Sequence, residues 1–280
     1  MLNDSANYSV LMSVYYRENP MFLRESIESM LSQTLKTDDF VIICDGPLTE
    51  ELDLVLDEYE NKYPDVIHIH RLKENGGLTK ALNYGLPLAK NSLVARMDSD
   101  DISMPNRCET QVKRFLENDK LTLLGATLTE FITTEDKKML PQKEKKVPLR
   151  YEEILRYSRR RNPFNHPTMM YRKEKVLEVG GYREWSLFED YDLWTRMLAA
   201  GYVGENVEES LLYMRTEAGM YDRRGGWSYA KKAVAFRWNL HRSGYSSLLD
   251  FLVSACGQML VCLVPSGIRK KIYDKALRKS

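Results

Sequence analysis

The sequence predicts an α/β protein built on a doubly wound, mostly parallel sheet. Three observations carry this. Apolar runs recur at residues 8–16 (YSVLMSVYY), 40–44 (FVIIC) and 92–97 (SLVARM), as in strands buried on both faces. Between them lie segments with helical spacing, and strands alternating with helices make a parallel sheet. Two of the runs end in carboxylates, at Asp45 and at Asp98-Ser99-Asp100-Asp101. In open sheets of this kind the ligand crevice lies outside the carboxyl ends of the strands.

Each element has its own signal. After the first strand, Arg17-Glu18-Asn19 breaks the run and Pro20 suits a first helical turn. Phe22, Ile27, Met30 and Leu31 then mark a helix, and the second strand closes on Asp45-Gly46-Pro47. Leu52, Val55, Leu56 and Tyr59 mark the next helix, and residues 66–70 a short third strand. A Gly-Gly turn at 76–77 opens a helix carrying Leu78, Ala81, Leu82 and Leu86, and the acidic-ended strand follows. Residues 104–118 read as helix and 121–132 as one or two strands. The polar, Lys-rich stretch 133–147 has no period and reads as a surface excursion. Residues 151–161 form a basic helix ending in three arginines, NHPT introduces strand MMYR, residues 186–197 cross from loop into helix, and 210–215 give a final strand.

At 280 residues, 43% hydrophobic and 29% charged, the chain is long enough for a large core. Its formal charge of +1 gives no field to attract nucleic acid. Cys44, Cys108, Cys256 and Cys262 have no metal-ligand spacing and read as buried, reduced thiols. The first residues lack signal-peptide character, and no apolar run is long enough to span a bilayer. The expectation is a protein working on the cytoplasmic side.

Three constellations can carry chemistry. Asp45, Asp98 and Asp100 should meet at one edge of the sheet. Carboxylates so close raise one another's pKa unless a cation sits between them, and a divalent ion shared with substrate phosphates satisfies them. Capped turns at the strand ends are the plainer reading. In the second group, Asn75-Gly76-Gly77-Leu78-Thr79-Lys80, a Gly-rich turn opens a helix without the spacing of a Walker loop. Lys80 can reach a base or phosphate from it, or stand solvated. The third is Glu189-Asp190-Tyr191-Asp192, where Asp190 suits either an N-cap or a general base. Tyr182 and Trp185 are placed to stack on a sugar. No Ser/His/Asp or Cys/His grouping points to a nucleophilic hydrolase.

Taken in order, YSVLMSVYY, CDG at 44–46, NGGLTKALNYG, RMDSDD with MPNR, NHPT, GGY and FEDYDLWTRM resemble inverting family-2 glycosyltransferases of the GT-A fold, in the branch that builds bacterial O-antigen or capsule. The resemblance covers about residues 8–215. It implies that Asp45 contacts the uracil of a nucleotide sugar, that Asp98 touches the ribose, and that Asp100, with Asp98, holds Mg²⁺ or Mn²⁺ on the diphosphate. Ser13 and Lys80 join the donor contacts. Asp190 matches the catalytic base, with Glu189, Tyr182 and Trp185 toward the acceptor. The donor would be a UDP-hexose or UDP-N-acetylhexosamine and the acceptor a polyprenyl-diphosphate-linked glycan. Many relatives carry a Tyr-Arg-x-His segment after the last strand; here Tyr213-Met214-Arg215-Thr216-Glu217 has no His. Arg223 and Arg224 are the expected substitutes at the phosphates.

The GT-A domain is expected over 1–227 and a helical segment over 228–280. Residues 245–263 are apolar, and Arg269, Lys270, Lys271, Lys275, Arg278 and Lys279 follow. That order fits an interfacial anchor on the inner face of the plasma membrane, with a core or dimer helix and a solvated tail as the alternative. Arg156 and Arg159–Arg161 can also face lipid phosphates. Two other classes remain open: a non-catalytic nucleotide-sugar-binding protein, and a metal-dependent phosphohydrolase, although strand one offers no Asp.

Overall fold

A computed structural model describes residues 7–134, 136, 138–216 and 226–264. Its centre is a parallel block of four strands: β1 (Tyr8–Val14), β2 (Asp39–Cys44), β3 (Ile67–Arg71) and β4 (Leu93–Asp98), in the spatial order β3-β2-β1-β4. Parallel neighbours need crossovers, supplied by α1 (Pro20–Leu31), α2 (Glu50–Lys62) and α3 (Leu78–Gly85). The start of α1 is set by Asn19, whose side chain accepts from the Met21 N–H, with Pro20 just inside. Thr49 caps α2 through the Leu52 N–H.

The period of two along each strand sorts side chains between two cores. Val10, Met12, Phe40, Ile42, Ala95 and Met97 face one layer, covered by Leu23, Ile27, Leu52 and Leu56 of α1 and α2. Leu11, Val41, Ile43 and Val94 face the other, covered by Ala81 and Leu82 of α3. Burial on both faces explains why these strands read as unbroken apolar runs.

The second half extends this sheet. After β5 (Ile102–Ser103) come α4 (Arg107–Glu117), β6 (Leu121–Thr133), β7 (Met139–Lys145), α5 (Tyr151–Tyr157), β8 (Met170–Arg172), α6 (Lys173–Glu178), α7 (Glu189–Ala199) and β9 (Val203–Arg215). The order continues from β4 through β8, β6 and β9 to β5, with β7 paired to β6. Here β8 is antiparallel to both neighbours, whereas β6 and β9 run parallel. Trp194, Leu193 and Met197 of α7 seal the second core layer.

Four expectations need correction. The stretch 133–147 contains β7, an exposed strand whose polar residues face water; with no buried face it has no alternation to read. The last strand begins at Val203, not at 210. The basic helix ends at Tyr157, so Arg159–Arg161 lie in the turn beyond it. Cys256 is exposed, although the other three thiols are buried.

Two further helices, α8 (Gly226–Arg242) and α9 (Leu248–Leu263), follow. Phe236 of α8 stacks on Phe188 at 5.0 Å and packs on Tyr191, so α8 supports the loop leading into α7. A reciprocal Ser247/Asp250 capping box starts α9. No helix among the described residues is long and apolar enough to cross a membrane. The basic residues 269–279 lie outside the described residues, as do Arg223 and Arg224.

Candidate active site

The carboxyl ends of β1, β2 and β4 open on a cleft of about 530 Å³ lined by Ser13, Asp45, Asn75, Asp98 and Asp100, among others. The topology brings these residues together. Ser13 lies opposite Asp98 in the β1–β4 register, and β2 delivers Asp45 on the other flank of β1.

Asp45 has a defined structural task. Its Oδ1 accepts from the Gly76 N–H at 2.7 Å and its Oδ2 from the Gly77 N–H at 2.9 Å. Asn75 donates back to the Asp45 carbonyl at 3.0 Å. Each oxygen already takes a backbone proton, so a base N–H would use a remaining lone pair. Gly46, at φ +86°, completes the latch: a Cβ there would lie 2.5 Å from the Asn75 nitrogen. Lys80 stands exposed at the rear of this turn, its stem against Gly76, and is not among the residues lining the cleft.

Asp98 rests on Arg96. Two positions apart on β4, both project from the same face, and the Arg96 guanidinium, buried to 2% exposure, binds both Asp98 oxygens. Arg107 of the MPNR motif, also buried, donates to the Arg96 carbonyl at 2.7 Å and so fixes this strand end.

One carboxylate oxygen from each of Asp98, Asp100 and Asp101 lies within 4.8 Å of the others. Burial, with the Asp98 and Glu18 charges, pushes Asp100 up to about 7. Asp101 is raised well above the ordinary range by burial and by its two neighbours. Its Oδ1 accepts from the Arg215 backbone N–H at 2.8 Å, while its buried Oδ2 has no hydrogen-bond partner. A buried acceptor without a donor, inside a cluster of hard oxygens, fits a divalent cation.

Arg215, at the end of β9, anchors this corner. Its Nε donates to the Asp100 carbonyl at 2.8 Å and its Nη2 to Glu25 at 2.5 Å. The guanidinium sits 3.7 Å from the Phe22 ring centroid and 4.5 Å from that of Phe131.

A second cavity, of about 610 Å³, adjoins the cleft and shares Leu78 and Asp98 with it. Its far wall carries Glu189 and Asp190 in the first turn of α7. Phe188, not Asp190, occupies the N-cap. The Asp190 carboxylate instead accepts from Asn162 Nδ2 at 2.6 Å and from the Tyr191 N–H at 2.7 Å. Burial raises its pKa despite those bonds. Glu189 is pushed up to about 7 by burial and by the Asp190 charge. Leu187, just before this turn, has φ 73°, the one positive value for a non-glycine among the described residues; such strain concentrates at functional loops.

The aromatic candidates are placed differently from expectation. Tyr182 is 3% exposed, with its main chain held by Asn83 and its hydroxyl 3.1 Å from His166 Nε2. Its ring packs at 6.3 Å on Trp194 in the second core layer, so it lines neither cavity and offers no open face to a sugar. Trp185 packs edge-on against Phe236 at 5.5 Å and is half-buried. His166 lines the second cavity, and burial beside Arg96 keeps it neutral.

Residues 9–181 match the family model described as Glycosyl transferase family 2. The chain is 37% identical, over 280 residues covering all of it and 99% of the relative, to the UDP-Gal:alpha-D-GlcNAc-diphosphoundecaprenol beta-1,3-galactosyltransferase of Escherichia coli. It is 35% identical to the amylovoran biosynthesis glycosyltransferase AmsE of Erwinia amylovora, across 96% of this chain and 98% of that one. Among solved structures it resembles the mannosyltransferase PcManGT of Pyrobaculum calidifontis in complex with GDP-Man and Mn²⁺. There the TM-score is 0.61 at 15% identity, covering 96% and 79% of the two chains. TarS of S. aureus in complex with UDP-GlcNAc gives 0.59 at 16%, covering 95% and 70%. The fold is thus of the GT-A class. The chain belongs to glycosyl transferase family 2.

Proposed function

We propose that this glycosyltransferase moves a hexose, with galactose the first to test, from its UDP-sugar to the terminal sugar of a polyprenyl-diphosphate-linked acceptor during assembly of a surface polysaccharide. The observation that carries the reading is the meeting of the two cavities at Asp98. Clustered carboxylates stand on the donor side, and the Asn162-held Asp190 stands on the other. Similarity along the whole chain to an enzyme named for UDP-Gal and a GlcNAc-diphosphoundecaprenol supports the choice of substrates.

Asp98, Asp100 and Asp101 would hold Mg²⁺ or Mn²⁺, which when bound neutralises charge on the departing nucleoside diphosphate. Asp45 keeps the Gly76-Gly77 turn against the cleft, and Ser13 lines its floor. Asp190 accepts the acceptor hydroxyl's proton as that oxygen attacks the anomeric carbon from the opposite side. Two hydrogen bonds fix the direction of its carboxylate, while burial makes it a better base than a solvated aspartate. A single displacement inverts the anomeric centre, so an α-linked donor yields a β-linkage.

The test incubates the enzyme with Mn²⁺, a soluble GlcNAc-diphosphate-alkyl acceptor and a panel of UDP-hexoses, reading product by mass. Acceptor-dependent UDP release with one extra hexose on the lipid is expected, and Asp190→Asn should slow it about 10²–10⁴-fold. Binding of the donor with no transfer to any acceptor would leave a sugar-nucleotide-binding protein instead. Release of phosphate independent of the sugar would mean a phosphohydrolase.

A further inference from the structure

Beyond the Asp190 cavity runs a groove of about 920 Å³. One wall is the last turn of α5, with Arg156, and the turn beyond it, with Arg159, Arg160 and Arg161; the other is α9, with Val253, Gly257 and Val261. The groove opens into the Asp190 cavity, because Tyr157, Arg161, Arg237 and Gln258 line both. We infer that it is the seat of the acceptor's diphosphate, with the acceptor's hydrocarbon chain leaving along α9; this rests on the proposed lipid-linked acceptor.

Charge and shape support that occupant together. Five arginines line the groove against two acids, Glu153 and Asp250. Asp250 is already committed, accepting from Arg160 Nε at 2.6 Å and closing the α9 capping box. That ion pair ties the arginine turn to α9. Arg237 is fixed at the junction by its bonds to the Ala233 carbonyl at 3.0 Å and to Gln258 at 3.1 Å. Arg156, Arg159 and Arg161 are exposed and stand where a dianion between sugar and lipid would pass. On the face of α9 that adjoins the groove at Val253, the helix turns Leu248, Leu249, Leu252, Val253 and Leu260 to solvent at 47–70% exposure. Spaced at i, i+1, i+4, i+5 and i+12, they share one stripe of the helix, which suits an alkyl chain or the bilayer it sits in. A phosphate needs the arginines and a hydrocarbon needs the stripe; a polyprenyl diphosphate uses both.

The test compares wild type with Arg156→Ala/Arg159→Ala, two groove residues that do not line the Asp190 cavity. Binding of a GlcNAc-diphosphate-alkyl lipid without donor is measured by calorimetry. Transfer to it is compared with transfer to an alkyl GlcNAc glycoside lacking the diphosphate. Expected is a loss of about tenfold or more in affinity and in kcat/KM for the diphosphate acceptor, carried by KM. The wild-type preference over the neutral glycoside should shrink by the same factor, with donor KM held. An acceptor preference that survives in the variant overturns the inference. If instead only flotation with phosphatidylglycerol vesicles is lost, the arginines serve membrane headgroups and the diphosphate seat is refuted. Because calorimetry needs no turnover, binding without any sugar transfer would count against the proposed reaction and not against the groove. Arg156→Lys/Arg159→Lys, which keeps the charge, should recover most of the affinity, separating recognition from a folding defect.

Discussion

Asp190 and Glu189 are adjacent carboxylates pushed up by the same burial, yet only Asp190 is gripped by Asn162. Replacing Asp190 by Asn keeps the shape and removes the basic oxygen, so kcat should fall about 10²–10⁴-fold with donor KM unchanged, as steady-state kinetics will show. The pH profile of kcat should have its acid limb above the ordinary aspartate range, since a base must be deprotonated to act. Glu189 offers a stability test. Its native pKa of about 7 exceeds that of the unfolded chain, so the native state binds more protons in between. Its contribution is fully present below the unfolded pKa, near 4.3, and is lost as pH rises through about 7. Glu189→Gln should therefore raise Tm at pH 8 and leave it nearly unchanged at pH 4.

At the scale of elements, the cleft proposed for the donor depends on how the end of β2 is joined to the start of α3. Gly77 is the N-cap of α3 and brings no side chain to cap it, and the Asp45 carboxylate at the end of β2 accepts from the Gly76 and Gly77 N–H groups instead. Asp45→Ala would leave both without their charged acceptor and should cost about 2–4 kcal/mol in urea unfolding. Donor KM should rise with it. β9 plays the matching part on the other flank. By carrying Arg215 to the Asp100 carbonyl, 115 residues away in sequence, it does mechanical work at the acidic corner. The polar β7 shows the opposite case, an element defined by its partner β6 and not by its own composition.

For the whole molecule, the uncompensated carboxylates beyond β4 predict a linkage between metal and stability. A divalent ion at a hundred times its dissociation constant would add about 2.7 kcal/mol. Mn²⁺ should raise Tm and EDTA should reverse it, and Asp101→Asn should blunt the response. Protons compete for Asp100, raised to about 7, so the Mn²⁺-induced rise should grow between pH 6 and pH 8.

The parallel half of the sheet was legible because strands buried on both faces must be apolar throughout, and a carboxylate ending such a run has few places to go but the rim. The positions of Asp45, Asp98, Asp100 and Asp190 followed from that rule and from motif order. Their partners did not. Asn162 reaches Asp190 over 28 residues and Arg215 reaches Asp100 over 115, and polar side chains in loops carry no periodicity that declares such pairs. Tyr182 looked like a platform in a polar loop, and the packing of Trp194 and His166 around it made it part of the core. Local sequence thus determined which segments are strands and where their acids emerge, because pattern and propensity act over a few residues. Which acids are gripped, which remain uncompensated, and which arginines line one groove were decided by tertiary structure alone, since those contacts exist only when distant segments close on one another.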